Sequence, residues 1–290
     1  MHALFAAAYV WTQVLVPGKT PVSQFGINDK GEVTVNTDDG TTGIWSHGKF
    51  TPLPDPPASC NCTVFAFAVN DDGIIAGTAF ANDTGLEGGF ILVGSTYRFF
   101  SWGAFENTEA RGIGDQGLVV GFGWQSDFSN SAGFVYDPST DTFTNVTPGS
   151  TYPTFVQGIN RFGRVAGQFV QPTPRRSFAF LAQYAPGAGT LPFSSRFQIV
   201  QGSATRARGI NDYGAMVGFL FDPSDGSQKA WVGSDTTGYA IVVPPGGDAP
   251  GVFPLCSGIN NHFQVACLTS DSDGNTLGLF IGTPTSPQAR

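Results

Sequence analysis

Histidine is scarce in this chain, with only His2, His47 and His262 among 290 residues. None stands in a metal-ligand spacing, and no H-E-x-x-H pair, Walker loop, dinucleotide fingerprint or G-x-S-x-G elbow occurs. The usual sequence signatures of zinc, nucleotide and serine-hydrolase chemistry are therefore missing. Charge is scarce too: charged residues make up 12%, with 14 basic against 22 acidic groups and a net charge of −8. Binding to a phosphate backbone needs a basic face, so nucleic acid is excluded as a partner and anionic membrane surfaces are disfavoured. The longest apolar run, residues 3–11, falls far short of the about 20 residues of a helical membrane span. It also lacks a basic flank, so it reads as part of a mature or trimmed soluble chain rather than as a signal peptide. No segment keeps helical periodicity for three turns; residues 4–10 come nearest.

Glycine (39), proline (20) and phenylalanine (26) are abundant, and 41% of residues are hydrophobic. Short strands punctuated by Gly and Pro, with enough apolar material for a large core, predict one all-β domain over residues 1–290. A motif recurs six times: a small residue, Ile or Val, usually Asn, two more residues, then usually Gly. The copies are Gly26-Ile27-Asn28-Asp29-Lys30-Gly31, Ala68-Val69-Asn70-Asp71-Asp72-Gly73, Gly112-Ile113-Gly114-Asp115-Gln116-Gly117, Gly158-Ile159-Asn160-Arg161-Phe162-Gly163, Gly209-Ile210-Asn211-Asp212-Tyr213-Gly214 and Gly258-Ile259-Asn260-Asn261-His262-Phe263. The anchors Ile27, Val69, Ile113, Ile159, Ile210 and Ile259 are 42 to 51 residues apart, the length of one four-stranded propeller blade. Asn and Asp start tight turns, and the closing Gly supplies the positive φ of a type I turn with a G1 bulge, so the motif reads as hairpin chemistry. A second Gly (Gly77, Gly121, Gly167, Gly218) is expected to make room for a neighbouring blade.

The expected architecture is thus a six-bladed β-propeller of four-stranded antiparallel blades. The sixth copy stops after its third strand, near Gly282, whereas Trp11-Thr12-Gln13-Val14-Leu15-Val16-Pro17-Gly18 resembles the fourth strands elsewhere, such as Phe143-Thr144-Asn145-Val146-Thr147-Pro148-Gly149. The strand at residues 9–16 should complete the last blade and close the ring. The repeated Gly-Ile-Asn-Asp-x-Gly-x-Val-Val-Gly pattern resembles the HAF-type extracellular repeat proteins of bacteria, from about Tyr9 to Gly282. That resemblance implies secretion and a propeller-like fold, and it carries no catalytic residues.

The four cysteines form two local pairs, Cys60 with Cys62 and Cys256 with Cys267, which suits an oxidising, extracellular compartment and no zinc spacing. Phe263 replaces the turn Gly of the sixth copy. Because Phe resists positive φ, a two- or four-residue loop is expected there, which would set Cys256 opposite Cys267 for a disulfide. Cys60 and Cys62 are candidates for a second, more strained bridge. Asp271, Asp273 and Asn275 resemble the start of a calcium loop, but Gly282 stands where its closing Glu belongs. No other cofactor is indicated.

Propellers bind on the face carrying the loops between second and third strands. Those loops hold Asp38, Asp39, Asp83, Glu87, Asp127 and Asp225, with Trp124 among them, an arrangement suited to carbohydrate or a cationic partner or simply to solvation. Arg111 and Arg208 occupy matching positions on the innermost strands, where they could bind an anion or line a wet channel. The function expected from the sequence is a non-catalytic extracellular structural or binding module, self-assembling or glycan-binding. The alternative is a six-bladed propeller enzyme acting on sugars or lactones, which needs carboxylates converging at the channel mouth.

Overall fold

The structure, a computed structural model, describes residues 5–6, 8–127, 130–148, 152–173 and 175–286. Among these residues the only helix is a single 3₁₀ turn, Ala58–Cys60, and everything else ordered is strand or turn. One antiparallel sheet holds Pro21–Ile27, Val33–Thr37, Thr42–Ser46 and Lys49–Pro52. A second holds Cys62–Val69, Ile75–Ala81, Glu87–Val93 and Thr96–Phe100. Ala204–Ile210, Met216–Phe221, Gln228–Ser234 and Gly238–Val242 form another, to whose edge Phe5–Ala6 adds in parallel. The strands Phe253–Ile259, Val265–Ser270 and Thr276–Pro284 make the last sheet together with Tyr9–Gln13, which pairs with Thr276–Pro284 in the register Trp11 to Gly282.

The third and fourth repeats depart from the expected separate blades. They share one eight-stranded sheet. Each half is antiparallel: Asn107–Ile113, Val119–Trp124, Ser131–Asp137 and Thr142–Thr147 in one, Thr154–Ile159, Arg164–Pro172, Arg175–Gln183 and Thr190–Phe197 in the other. The outermost strands of the two halves then pair in parallel, Val146 opposite Leu191.

The six motif turns meet around one axis. Each Asn side chain works at both ends. Its oxygen accepts amides of its own turn, as when Asn211 Oδ1 accepts from Ala215 N at 2.9 Å. Its Nδ2 donates to the carbonyl of the next repeat: Asn28 to Asn70, Asn70 to Gly114, Asn160 to Asn211, Asn211 to Asn260, and Asn260 back to Asn28, at 2.9–3.3 Å. Asp could not replace Asn there, because the position needs a donor as well as an acceptor. A second ring runs beside the first: the amides of Asp29, Asp71, Arg161, Asp212 and Asn261 each donate to the Asp or Asn side chain at the same position of the following repeat.

Both rings are interrupted between the third and fourth repeats. Gly114 has no side-chain amide to give, and Arg161 replaces the acceptor at its position. This is the seam where the outer strands pair in parallel, so the hydrogen bonds missing near the axis are offset by others at the rim. Asn211→Asp should therefore cost about 2–3 kcal/mol, because the buried site would hold a charge facing a carbonyl. Gly114→Asn should stabilise by about 1 kcal/mol by filling the gap. Urea titration of both variants checks this; a neutral N211D would contradict the ring.

Two expectations about the motif need correction. The second Gly makes room within its own sheet, not for a neighbouring one. A Cβ on Gly121 would lie 1.9 Å from the Glu109 carbonyl and 2.9 Å from the Phe134 ring, and Gly77, Gly167 and Gly218 are confined alike. Close approach to the neighbour falls instead to the small residue before each anchor: a Cβ on Gly209 would meet Gly258 Cα at 3.2 Å, and one on Gly258 the Phe25 carbonyl at 2.5 Å.

Phe263 is the other case. It adopts φ +59°, in the left-handed region, and the sixth turn keeps the form of the others. Burial and stacking on Tyr213 at 5.6 Å accompany that backbone. Cys256 still faces Cys267, at 4.0 Å between Cα atoms and joined, because a bulge at Ser257 shifts the register between Ile259–Val265 and Cys256–Cys267. Cys60 and Cys62 are joined as well.

The core lies between adjacent sheets. Ala68, Ala76, Ile91 and Phe100 of one pack on Ala110, Val119, Phe134 and Tyr136 of the next. Val14 and Val16 pack with Ile27, Val33 and Trp45 on one side and Leu279 and Ile281 on the other. The N-terminal strand thus joins the last sheet to the first. The fold is all-β and propeller-like, with four-stranded antiparallel blades. No helix among the described residues is long and apolar enough to cross a membrane.

Candidate functional site

A bulge of the kind seen at Ser257 recurs in every innermost strand, at or next to the residue two before the anchor. Those residues are Phe25, Phe67, Arg111, Gln157, Arg208 and Ser257. Beneath them the six anchors, each buried, stand around the axis between two small cavities of about 70 Å³ each. Both cavities share the six anchors in their lining, so the anchors form an apolar ring along the axis. One chamber is walled by the Asn and Asp turns. The other is lined by Phe67, Arg111, Gln157, Arg208 and Ser257.

In the second chamber, Arg111 pairs with the buried carboxylate of Glu109 and lies over the rings of Phe67 (4.4 Å) and Phe25 (5.2 Å). Arg208 has no carboxylate partner in an ion pair among the described residues. It donates to Gln157 Oε1 at 3.0 Å and lies 5.4 Å from the Phe219 ring. The Nε atoms of Arg111, Arg206 and Arg208 are buried without an acceptor. Burial, reinforced by Arg111 and Arg206, lowers the Arg208 pKa to about 9. Burial also raises Glu109, against the pull of Arg111 and Arg208.

Glu87 stands at the start of its strand, and its backbone amide donates to Asn107 Oδ1 at 3.0 Å. Burial and then Glu109 push its carboxyl up to about 7, with Arg111 opposing. The sign follows. The fold holds the proton more tightly than the unfolded chain, so stability falls as pH rises from the ordinary carboxylate range through 7, and the penalty is complete above it. Glu87→Gln should therefore melt like the wild type near pH 4 and about 2–4 °C higher at pH 8. Equal melting temperatures at both pH values would remove Glu87 from the buried cluster.

Of the residues singled out from the sequence, Arg111 and Arg208 line this chamber, and Glu87 does not line it but is coupled electrostatically to Glu109 and Arg111. The others lie away from it, and several are taken up by neighbouring groups. Asp39 contacts Lys19 and accepts from Thr37 and Thr41, which lower its pKa. Asp38 accepts from Thr20 N, and Asp225 from Ser227 and Lys229. Asp83 and Asp127 are exposed, and Trp124 stacks obliquely on Phe122 at 5.4 Å. Asp271 accepts from the amides of Asp273 and Asn275 and from the Asn275 side chain, so the calcium-like loop closes on itself as an Asx turn. No group of three His, Cys, Asp or Glu among the described residues is placed to hold a metal. Sequence reasoning missed Glu109, Arg206 and Gln157. Their signal was available: counting back two and four residues from each anchor picks out Arg111 with Glu109, Gln157, and Arg208 with Arg206.

No protein-family profile and no curated protein matches the sequence. Solved structures do. The chain is similar to a luciferin-regenerating enzyme, with TM-score 0.56 and 9% identity over 98% of each chain. A gluconolactonase from Xanthomonas campestris gives TM-score 0.54 and 9% identity, again over 98% of each chain. The fold is that of a β-propeller. TolB from Acinetobacter baumannii gives TM-score 0.50 and 13% identity over 93% of this chain and 65% of that one. At such identities the fold alone is shared.

Proposed function

We propose that this β-propeller is an extracellular ligand-binding module of the HAF-repeat type, taking its ligand at the axial chamber lined by Arg111 and Arg208. In this reading the eight-stranded sheet is two blades joined at their outer strands, so the ring has six blades in one domain. The carrying observation is that buried cationic and aromatic groups converge on the axis of an otherwise acidic protein, while the loop carboxylates Asp38, Asp39 and Asp225 are taken up by neighbouring groups. Two disulfides support an oxidising compartment.

The second reading, an enzyme acting on sugars or lactones, has at least as much support from the neighbours, since a gluconolactonase shares the fold. A specific observation also favours it: Glu87 holds its proton near neutral pH beside Glu109 and Arg111, as a general acid or base requires. One experiment separates the readings. Purified protein is assayed against a lactone series and a glycan panel, and imaged by electron microscopy. Turnover lost in Glu87→Gln supports the enzyme, and saturable binding without turnover supports the module. Filaments with neither would favour self-assembly and overturn both.

A further inference from the structure

We infer that the axial chamber recognises the head group of a small monoanion, a carboxylate, through Arg208 and Arg111. This rests on the proposal that the chamber is the ligand site, and deepens it by naming the ligand chemistry. Burying a guanidinium is costly unless its charge and its N–H groups are matched. Arg111 is matched in part by Glu109. Arg208 is not: its contacts are one neutral amide oxygen and an aromatic face, and its Nε points at no acceptor.

Such a group is either a standing cost to the fold or half of an interaction completed by something else. The cavity beside it distinguishes these. About 70 Å³ is several times the space one water needs and fits a carboxylate, but not a whole sugar ring. Arg111 has a carboxylate partner in Glu109, whereas Arg208 bonds only a neutral amide oxygen, so one added negative charge completes the pairing, which matches a monoanion better than a dianion. The planar fork of Arg suits bidentate binding of a carboxylate. Phe67 and the six anchors make much of the rest of the lining apolar, and an ionic contact beside such surfaces gains strength.

The test is melting and calorimetric titration of the full chain with sodium acetate, sodium D-gluconate or inorganic phosphate at constant ionic strength, with chloride as the balancing anion. A saturable rise in melting temperature is expected with acetate and gluconate, following the logarithmic dependence of linked binding. Arg208→Gln should weaken it at least tenfold while folding normally, since the change removes an unpaired buried charge. Lys49→Gln, at an exposed lysine of an outer strand, should leave it unchanged. If R208Q does not fold, Arg208→Lys keeps the charge without the fork and should still bind tenfold more weakly. The inference is overturned by no saturable effect of either carboxylate, by tighter binding of phosphate, or by unaltered affinity in the Arg208 variants. A neutral glycan that binds where the carboxylates do not would sink this inference and leave the binding-module reading standing.

Discussion

A chain that begins at Pro17 should lose on the order of 6 kcal/mol of stability, and its melting temperature should fall by roughly 15 °C. Tyr9–Gln13 supplies the edge partner of Thr276–Pro284, and Val14 N donates to the Leu279 carbonyl at 2.8 Å. Val14 and Val16 are buried among residues of the first and last sheets, with Trp11 half-buried nearby. Two buried valines and part of a tryptophan account for most of the figure, at about 1.5–3 kcal/mol for each large apolar side chain. A domain of this size shifts its melting temperature by roughly 2–4 °C per kcal/mol. Deletion also exposes a strand edge, which invites association. A synthetic peptide covering residues 8–16 should restore the melting temperature in a saturable way. Melting within about 2 °C of the full chain would show that this strand is not what joins the last sheet to the first.

Gly121→Ala should cost about 3 kcal/mol, an unusually large effect for one added methyl. The new Cβ would lie 1.9 Å from the Glu109 carbonyl oxygen and 2.9 Å from the edge of the Phe134 ring. The first obstacle is backbone of the innermost strand and cannot rotate away, and the second is a fully buried ring. Relief therefore requires the innermost strand to move, and with it the Glu109–Arg111 pair in the axial cluster. Such overpacking typically costs about 1–3 kcal/mol, and backbone obstruction puts this case at the upper end. Gly103→Ala is the control, since nothing lies within 4 Å of its Cβ position. It should stay within about 0.5 kcal/mol of wild type. Urea titration of both reads the difference directly; a G121A cost below about 1 kcal/mol would contradict the packing.

How far the chain could be read in advance differs between its parts. The repeat, the turn chemistry and the pairing of the N-terminal segment were legible, because each is local or periodic: a turn needs its own Asn and Gly, and a missing fourth strand is visible in the sixth copy. Phe263 defeated the argument from local preference. Its left-handed backbone costs of order 1 kcal/mol, and burial of the ring against Tyr213 is available only once the fifth and sixth repeats are packed together. The loop carboxylates drew attention for their charge, yet neighbours such as Lys19, Ser227 and Lys229 take them up.

The sequence by itself determined the β class, the repeat unit and the identity of the turn residues, since hydrophobic alternation and turn chemistry act within a few residues of one another. Tertiary structure alone decided three things. The Asn and Asp side chains reach carbonyls and amides 42 to 51 residues away, and for the last copy 232 residues away. The third and fourth repeats merge their outer strands where the inner rings are broken. Bulges in the innermost strands collect Phe25, Phe67, Arg111, Gln157, Arg208 and Ser257 about the axis. In each case the partners are far apart in the chain, and only closure of the ring brings them within reach.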